Sequence, residues 1–211
     1  MKLPTEYRDI IFGDLEPGEA YRRCLTQISE KGTTTDYNLT EIIAYGTEIR
    51  YAIDILRNGR PERFWNFGDL RGDADARLFS ILDKLPDLRI AFVGSGPYPV
   101  TALLIRERYP QAEIACIDNN IAAYLLSKAI FEKLQLNISC VFNEAMEIDY
   151  SVFNVVIVAA MVSGKSELAE MIINTSDAFV ILRGTVTFDH PRLIQFGATF
   201  RDDGAIMGAK A

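Results

Sequence analysis

At 211 residues, 49% of them apolar, the chain is long enough for one substantial core and cramped for two full domains. A net charge of −7, with no stretch dense in Lys or Arg, offers no positive surface to a phosphate polymer and argues against nucleic acid as a partner. No window approaches the roughly 18 uninterrupted apolar residues of a membrane span, and Met1 to Arg8 carry no leader-like pattern.

The expectation is a cytoplasmic protein acting on a small molecule, away from membranes; a homodimer would be compatible with it. Cys24, Cys116 and Cys140 are isolated and odd in number, which supports buried thiols over a disulfide framework or a CxxC metal site. His190 is the only histidine, so a His-based zinc centre has no support and a Ser-His-Asp hydrolase little.

From about Glu16 to Pro86 the pattern is helical, with Asn38 and Glu41 as a capping pair ahead of Ile42, Ile43, Ile49, Ala52, Ile53 and Leu56. Asn58-Gly59-Arg60-Pro61 punctuates this segment. The aromatics Phe64, Trp65 and Phe67 follow, then a helix near Asp73 to Leu85.

After Pro86 short β-branched runs alternate with helical ones. Strands are predicted at Arg89–Val93, Glu113–Asp118, Ile138–Phe142, Asn154–Ala159 and Ala178–Leu182. Helices are predicted at Tyr98–Arg108, Ile121–Leu134 and Lys165–Asn174. Such alternation implies a parallel sheet covered by helices.

In the tail from Leu193 to Ala211, two short runs flank Asp202-Asp203-Gly204, a hairpin signal that predicts an antiparallel pair at the sheet edge. The fold class is therefore α/β and Rossmann-like. Residues 1–86 form a helical N-terminal cap in this reading, and residues 87–211 the ligand-binding domain.

In a strand-turn-helix unit of this kind the ligand sits beyond the carboxyl end of the first strand. That places Gly94-Ser95-Gly96-Pro97-Tyr98 in the binding turn. Asp118 ends the next strand 22 residues after Gly96, where a carboxylate, with Asn119 beside it, can take the two ribose hydroxyls of a nucleoside; the alternative is a plain helix cap.

A dinucleotide fits less well. Pro99 stands where the third glycine of GxGxxG would be, and Pro97 removes a backbone donor that a pyrophosphate needs. S-adenosylmethionine has no phosphate to hold, so the turn favours it, as co-substrate and without a metal.

Asn143-Glu144-Ala145 would face the adenine edge, and Ala159-Ala160-Met161-Val162 would allow close approach on the sulfonium side; a solvated loop and tight helix packing are the alternatives. Tyr37, Trp65, Phe67 and Tyr98 are candidate rings for the sulfonium, or packing residues. Glu41, Tyr45 and Glu48 recur at i, i+4 and i+7, one helix face that could cover the site, or a solvated face.

Three segments, Val93-Gly94-Ser95-Gly96-Pro97-Tyr98-Pro99, Ala159-Ala160-Met161-Val162 and Leu182-Arg183-Gly184, resemble nicotianamine synthases, with the likeness running from about residue 60 to the end. The resemblance implies a class I methyltransferase fold. It also implies that the 3-amino-3-carboxypropyl group of S-adenosylmethionine is used and methylthioadenosine released.

An amine attacking the γ-carbon must lose a proton, which gives Glu41, Tyr45 and Glu48 candidate catalytic roles. The sequence departs from the family at Gly184-Thr185-Val186, where a small polar residue and a histidine are expected. Small size favours a small acceptor, in the extreme case the substrate's own amine closing to azetidine-2-carboxylate. A small-molecule methyltransferase and a non-catalytic nucleoside-binding module are the competing readings.

Overall fold

The computed structural model describes residues 3–30, 37–62, 64, 74–183, 188–196, 199–200 and 206–207. Four helices come first: α1 (Thr5–Ile11), α2 (Pro17–Glu30), α3 (Tyr37–Asn58) and α4 (Ala74–Leu82). Pro17 opens α2 at the position where a missing N–H costs nothing. The end of α1 is closed from a distance, since Arg50 of α3 donates to the carbonyls of Ile11 and Gly13.

Helix α3 begins at Tyr37, so Asn38 lies inside it and not at the cap. Its start buries Ile43 against Tyr7, Ile11, Tyr21, Cys24 and Ile28. Its far end sends Ala52 and Ile55 into the main core beside Leu78 and Leu82. One helix thus ties the N-terminal layer to the sheet.

The rest alternates: β1 (Arg89–Val93), α5 (Val100–Arg108), β2 (Glu113–Asp118), α6 (Ile121–Lys133), β3 (Ser139–Phe142), β4 (Val155–Val158), α7 (Lys165–Thr175), β5 (Phe179–Arg183) and β6 (Leu193–Phe196). These six strands form one sheet in the order β3-β2-β1-β4-β5-β6, parallel throughout. Side chains alternate across it as the pleat dictates. Ile90, Phe92, Val155 and Ile157 enter the core on one face, while Ala91, Val93, Val156 and Val158 enter the core on the other. Burial on both faces is why β4 reads as an unbroken apolar run.

The sheet edge differs from expectation. Leu193–Phe196 joins β5 as a sixth parallel strand, and the antiparallel pair, β7 (Thr199–Phe200) with β8 (Ile206–Met207), forms a separate two-stranded ladder. His190 serves the turn before β6, its Nδ1 accepting from the Arg192 N–H at 3.2 Å. Cys24 and Cys116 are buried; Cys140, on the outer strand β3, is half-buried. No helix among the described residues is long and apolar enough to cross a membrane.

Candidate active site

The strand order reverses between β1 and β4, which opens a crevice beyond their carboxyl ends. The chain leaves β1 through Gly94-Ser95-Gly96, with the Gly94 N–H donating to the Ile117 carbonyl at 2.9 Å. Gly94 and Gly96 both have φ of +71°. Protein atoms already fill the space a side chain would need: a Cβ on Gly94 would stand 2.4 Å from Val162 Cγ2, and one on Gly96 2.7 Å from Glu48 Oε2. The glycines admit neighbouring side chains before they admit any ligand.

Asp118 holds this turn. Its Oδ2 accepts from the Gly96 N–H at 2.9 Å and its Oδ1 from the Asn120 N–H at 2.9 Å. The cap of α6 is Asn120, whose Oδ1 accepts from the N–H groups of Ala122 and Ala123. A carboxylate oxygen has two lone-pair directions, so Asp118 keeps acceptor capacity toward the crevice.

Over the crevice lies a cavity of about 790 Å³, within the usual size of small-molecule sites. Of the sequence candidates, Glu41, Tyr45, Gly94, Gly96, Asp118, Asn119, Asn143, Glu144 and Ala145 line it. Asn119 Nδ2 donates to Glu144 Oε2 at 3.0 Å, so the rim after β2 is fastened to the loop after β3.

Other candidates sit behind the wall. Ser95 is buried beside Cys116, and Tyr98 is buried and stacked on Tyr51 with ring centroids 5.1 Å apart. Tyr98 is thus a packing ring that seats α3 on the turn. Pro97 is buried next to it. Ala159 packs under Gly94, and the Ala160 carbonyl accepts from Lys165 Nζ. Trp65 and Phe67 lie outside the described residues, as do the side chain of Tyr37 and the segment Gly184–Val186.

Met161 and Val162, from the segment after β4 that the sequence sets on the sulfonium side, line the cavity, and the structure adds residues that sequence reading missed: Ser163, Gly164 and Glu167 from the same loop and the start of α7, with Met146 and Asn120 elsewhere on the wall. The usable signal was topological, since the loop after a strand flanking the switch point belongs to the site whatever its motif.

The charged residues lining the cavity are Glu41, Asp118, Glu144 and Glu167; no Lys, Arg or His is among the described lining residues. Two further acidic groups stand on α3. Burial, and then the Asp118 charge, push the Glu48 carboxyl up to about 8, and Glu48 Oε2 has no hydrogen-bond partner among the described residues. Burial first, then the charges of Asp118 and Glu48, raise the Tyr45 hydroxyl, which also lacks a partner among the described residues. Both shifts favour the protonated forms, a carboxylic acid at Glu48 and a phenol at Tyr45. Among the described residues no group of three or more His, Cys, Asp or Glu is disposed to hold a metal ion.

Residues 72–186, more than half of the chain, match the sequence profile of the family described as nicotianamine synthase protein. The chain belongs to that family. The matched region runs from just ahead of α4 to just past β5, so helix α3, which supplies Glu41, Tyr45 and Glu48, precedes it.

Among solved structures, a mutant of MtNAS is 18% identical, with 86% of this chain and 66% of that chain covered and a TM-score of 0.51. The complex of that mutant with S-adenosylmethionine is 17% identical, covering 87% and 69%, with a TM-score of 0.52. MtNAS with MTA and tNA is 17% identical, covering 82% and 62%, with a TM-score of 0.50. The chain thus spans about two thirds of the length of these structures, and the likeness is one of fold. No curated protein matches the sequence.

Proposed function

We propose that the cavity binds S-adenosylmethionine and that the enzyme uses its 3-amino-3-carboxypropyl group. A nitrogen attacks the γ-carbon, the C–S bond breaks with its electrons going to sulfur, and methylthioadenosine leaves. The nitrogen belongs to a small amine or to the substrate itself, which then closes to azetidine-2-carboxylate. Family membership supports the choice of this group over the methyl.

The observation that carries the reading is the all-acidic lining of the cavity. Four carboxylates favour a cationic sulfonium and oppose a pyrophosphate. The start of α5 agrees: Pro97 and Pro99 have no N–H, and the Val100 N–H is spent on the Tyr98 carbonyl at 2.8 Å. A phosphate would thus lose three of the donors that such a turn usually offers.

In this reading Asp118 accepts from the ribose, residues 143–146 face the base, and the reacting arm lies beneath α3. Glu41 is the carboxylate on the cavity wall placed to take the proton that the attacking amine releases. Tyr45, kept as a phenol, donates a hydrogen bond and takes no proton.

Asp118→Ala is expected to weaken binding of methylthioadenosine by about 1–3 kcal/mol, through loss of charge-assisted bonds to ribose. Calorimetry checks this, and unchanged affinity would remove the ribose from Asp118. For the reaction, the chain is incubated with S-adenosylmethionine alone and then with small amines, and products are read by mass spectrometry. Methylthioadenosine with a matching aminocarboxypropyl product is expected. S-adenosylhomocysteine would make the protein a methyltransferase, and tight binding without turnover a binding module.

A further inference from the structure

The carboxylate of the amino-acid arm needs a partner. With ribose at the end of β2 and base after β3, the arm must run past Gly94 and Gly96 toward β4, on the other side of β1 in the sheet. There the wall is Glu41, Ile42 and Tyr45 from α3 and residues 161–164, 167 and 168 from the loop and first turn after β4. An α-amino acid group arriving at that end is a zwitterion. Its ammonium meets Glu41 and Glu167, but its carboxylate meets no cation among the described lining residues, only neutral donors such as Tyr45 and Ser163, and a desolvated carboxylate without an opposite charge is disfavoured.

Lys165 is the cation placed to answer this. It opens α7, directly after the lining residue Gly164 and two before Glu167, and it is half-buried. Its Nζ donates to the Ala160 carbonyl, which fixes the head group beside the loop after β4. An ammonium has three donors, and the Ala160 carbonyl is its one hydrogen-bond partner among the described residues. Glu41 is near enough to interact with it electrostatically, which sets the lysine at the same end of the cavity as the α3 carboxylate. Burial draws its pKa down, as for a cation partly stripped of water, while the Glu41 charge opposes that shift.

We propose that Lys165 is the specificity-determining residue for the α-carboxylate of the ligand, with Glu41 across from it facing the α-nitrogen. The inference rests on the reading that the cavity takes S-adenosylmethionine. Together the pair would select an amino-acid arm over one that lacks the carboxylate and would orient the γ-carbon beneath α3.

Calorimetry on the full chain with three ligands tests it: S-adenosylmethionine, its decarboxylated analogue, and methylthioadenosine, which has no arm. The wild type is expected to prefer S-adenosylmethionine over the decarboxylated analogue by about tenfold or more. Lys165→Met should bring those two to parity while leaving methylthioadenosine unchanged, which also reports an intact fold. Lys165→Arg should restore part of the preference. A Lys165→Met variant that loses methylthioadenosine equally, or that keeps the full preference, overturns the inference and leaves the proposed function standing. So does a wild type that binds both sulfonium ligands without discrimination. A wild type that binds none of the three overturns the proposed function and this inference with it.

Discussion

Gly94→Ala is expected to destabilise the unliganded protein by about 2–5 kcal/mol, a large share of the roughly 5–15 kcal/mol available to a domain. Two costs add. At φ +71° an L residue with a Cβ costs about 1–2 kcal/mol. The new methyl would also stand 2.4 Å from Val162 Cγ2, and such overpacking typically costs about 1–3 kcal/mol. Urea unfolding without any ligand is the measurement. If the glycine served only to let a ligand approach, the unliganded stability would not move and only binding would fall. Val162→Ala in the Gly94→Ala background should recover the overlap part and leave the backbone part, since Val162 supplies the contact and has no part in the dihedral.

Gly96 should respond more mildly. Its neighbour, 2.7 Å away, is the carboxylate end of a side chain and can swing aside where Val162 cannot. The pair looked equivalent in the sequence because turn chemistry reports that φ > 0 is needed, not which atoms crowd the turn.

The same limit explains what else was legible. The strands came out because alternation and β-branched runs are local, and burial of β4 on both faces follows from its unbroken valine and isoleucine run. The pairing of the tail did not. Leu193–Phe196 sits before a strong local turn signal, while its parallel partner, Phe179–Arg183, pairs with it only through the sheet.

Within the site, the i, i+4, i+7 spacing gathered Glu41, Tyr45 and Glu48 on one face of α3, but the helix then splits them. Glu41 and Tyr45 line the cavity, and Glu48 lies behind the glycine turn. Consecutive turn residues point in different directions as well, which is why Ser95 and Tyr98 face the core although their neighbours line the crevice. Glu167 carried no motif and lines the site only because the strand order brings β4 beside β1, and Lys165 stands two residues before it at the start of α7.

Glu48→Gln is expected to stabilise the protein above neutral pH and to have little effect in acid. Below about pH 4.5 the carboxyl is protonated in both folded and unfolded chains, so its ionisation contributes nothing. Between 4.5 and about 8 the folded protein keeps a proton that the unfolded chain gives up. Stability therefore falls as pH rises through that window, by about 1.4 kcal/mol per unit, and levels off once the folded carboxyl also ionises. The full loss is roughly 5 kcal/mol at most, set by the distance between the two ends of the window.

Glutamine matches the shape of the neutral acid and has no proton to release, so the variant should lack the fall. Urea midpoints at a series of pH values should coincide near pH 4.5 and diverge toward pH 8, with Glu48→Gln the more stable. Parallel curves would mean that Glu48 is solvated and ionised. Asp118→Asn should narrow the divergence, because the Asp118 charge is the second cause of the shift after burial. A chain that keeps a largely buried acid under its binding turn, where a neutral isostere would be more stable at working pH, gives up stability at that point; sites where sequence choice opposes stability are where function is concentrated. Glu48 is thus bound to the turn it supports: it occupies the space Gly96 leaves open, and the carboxylate that fastens Gly96, Asp118, adds to the burial that raises its pKa.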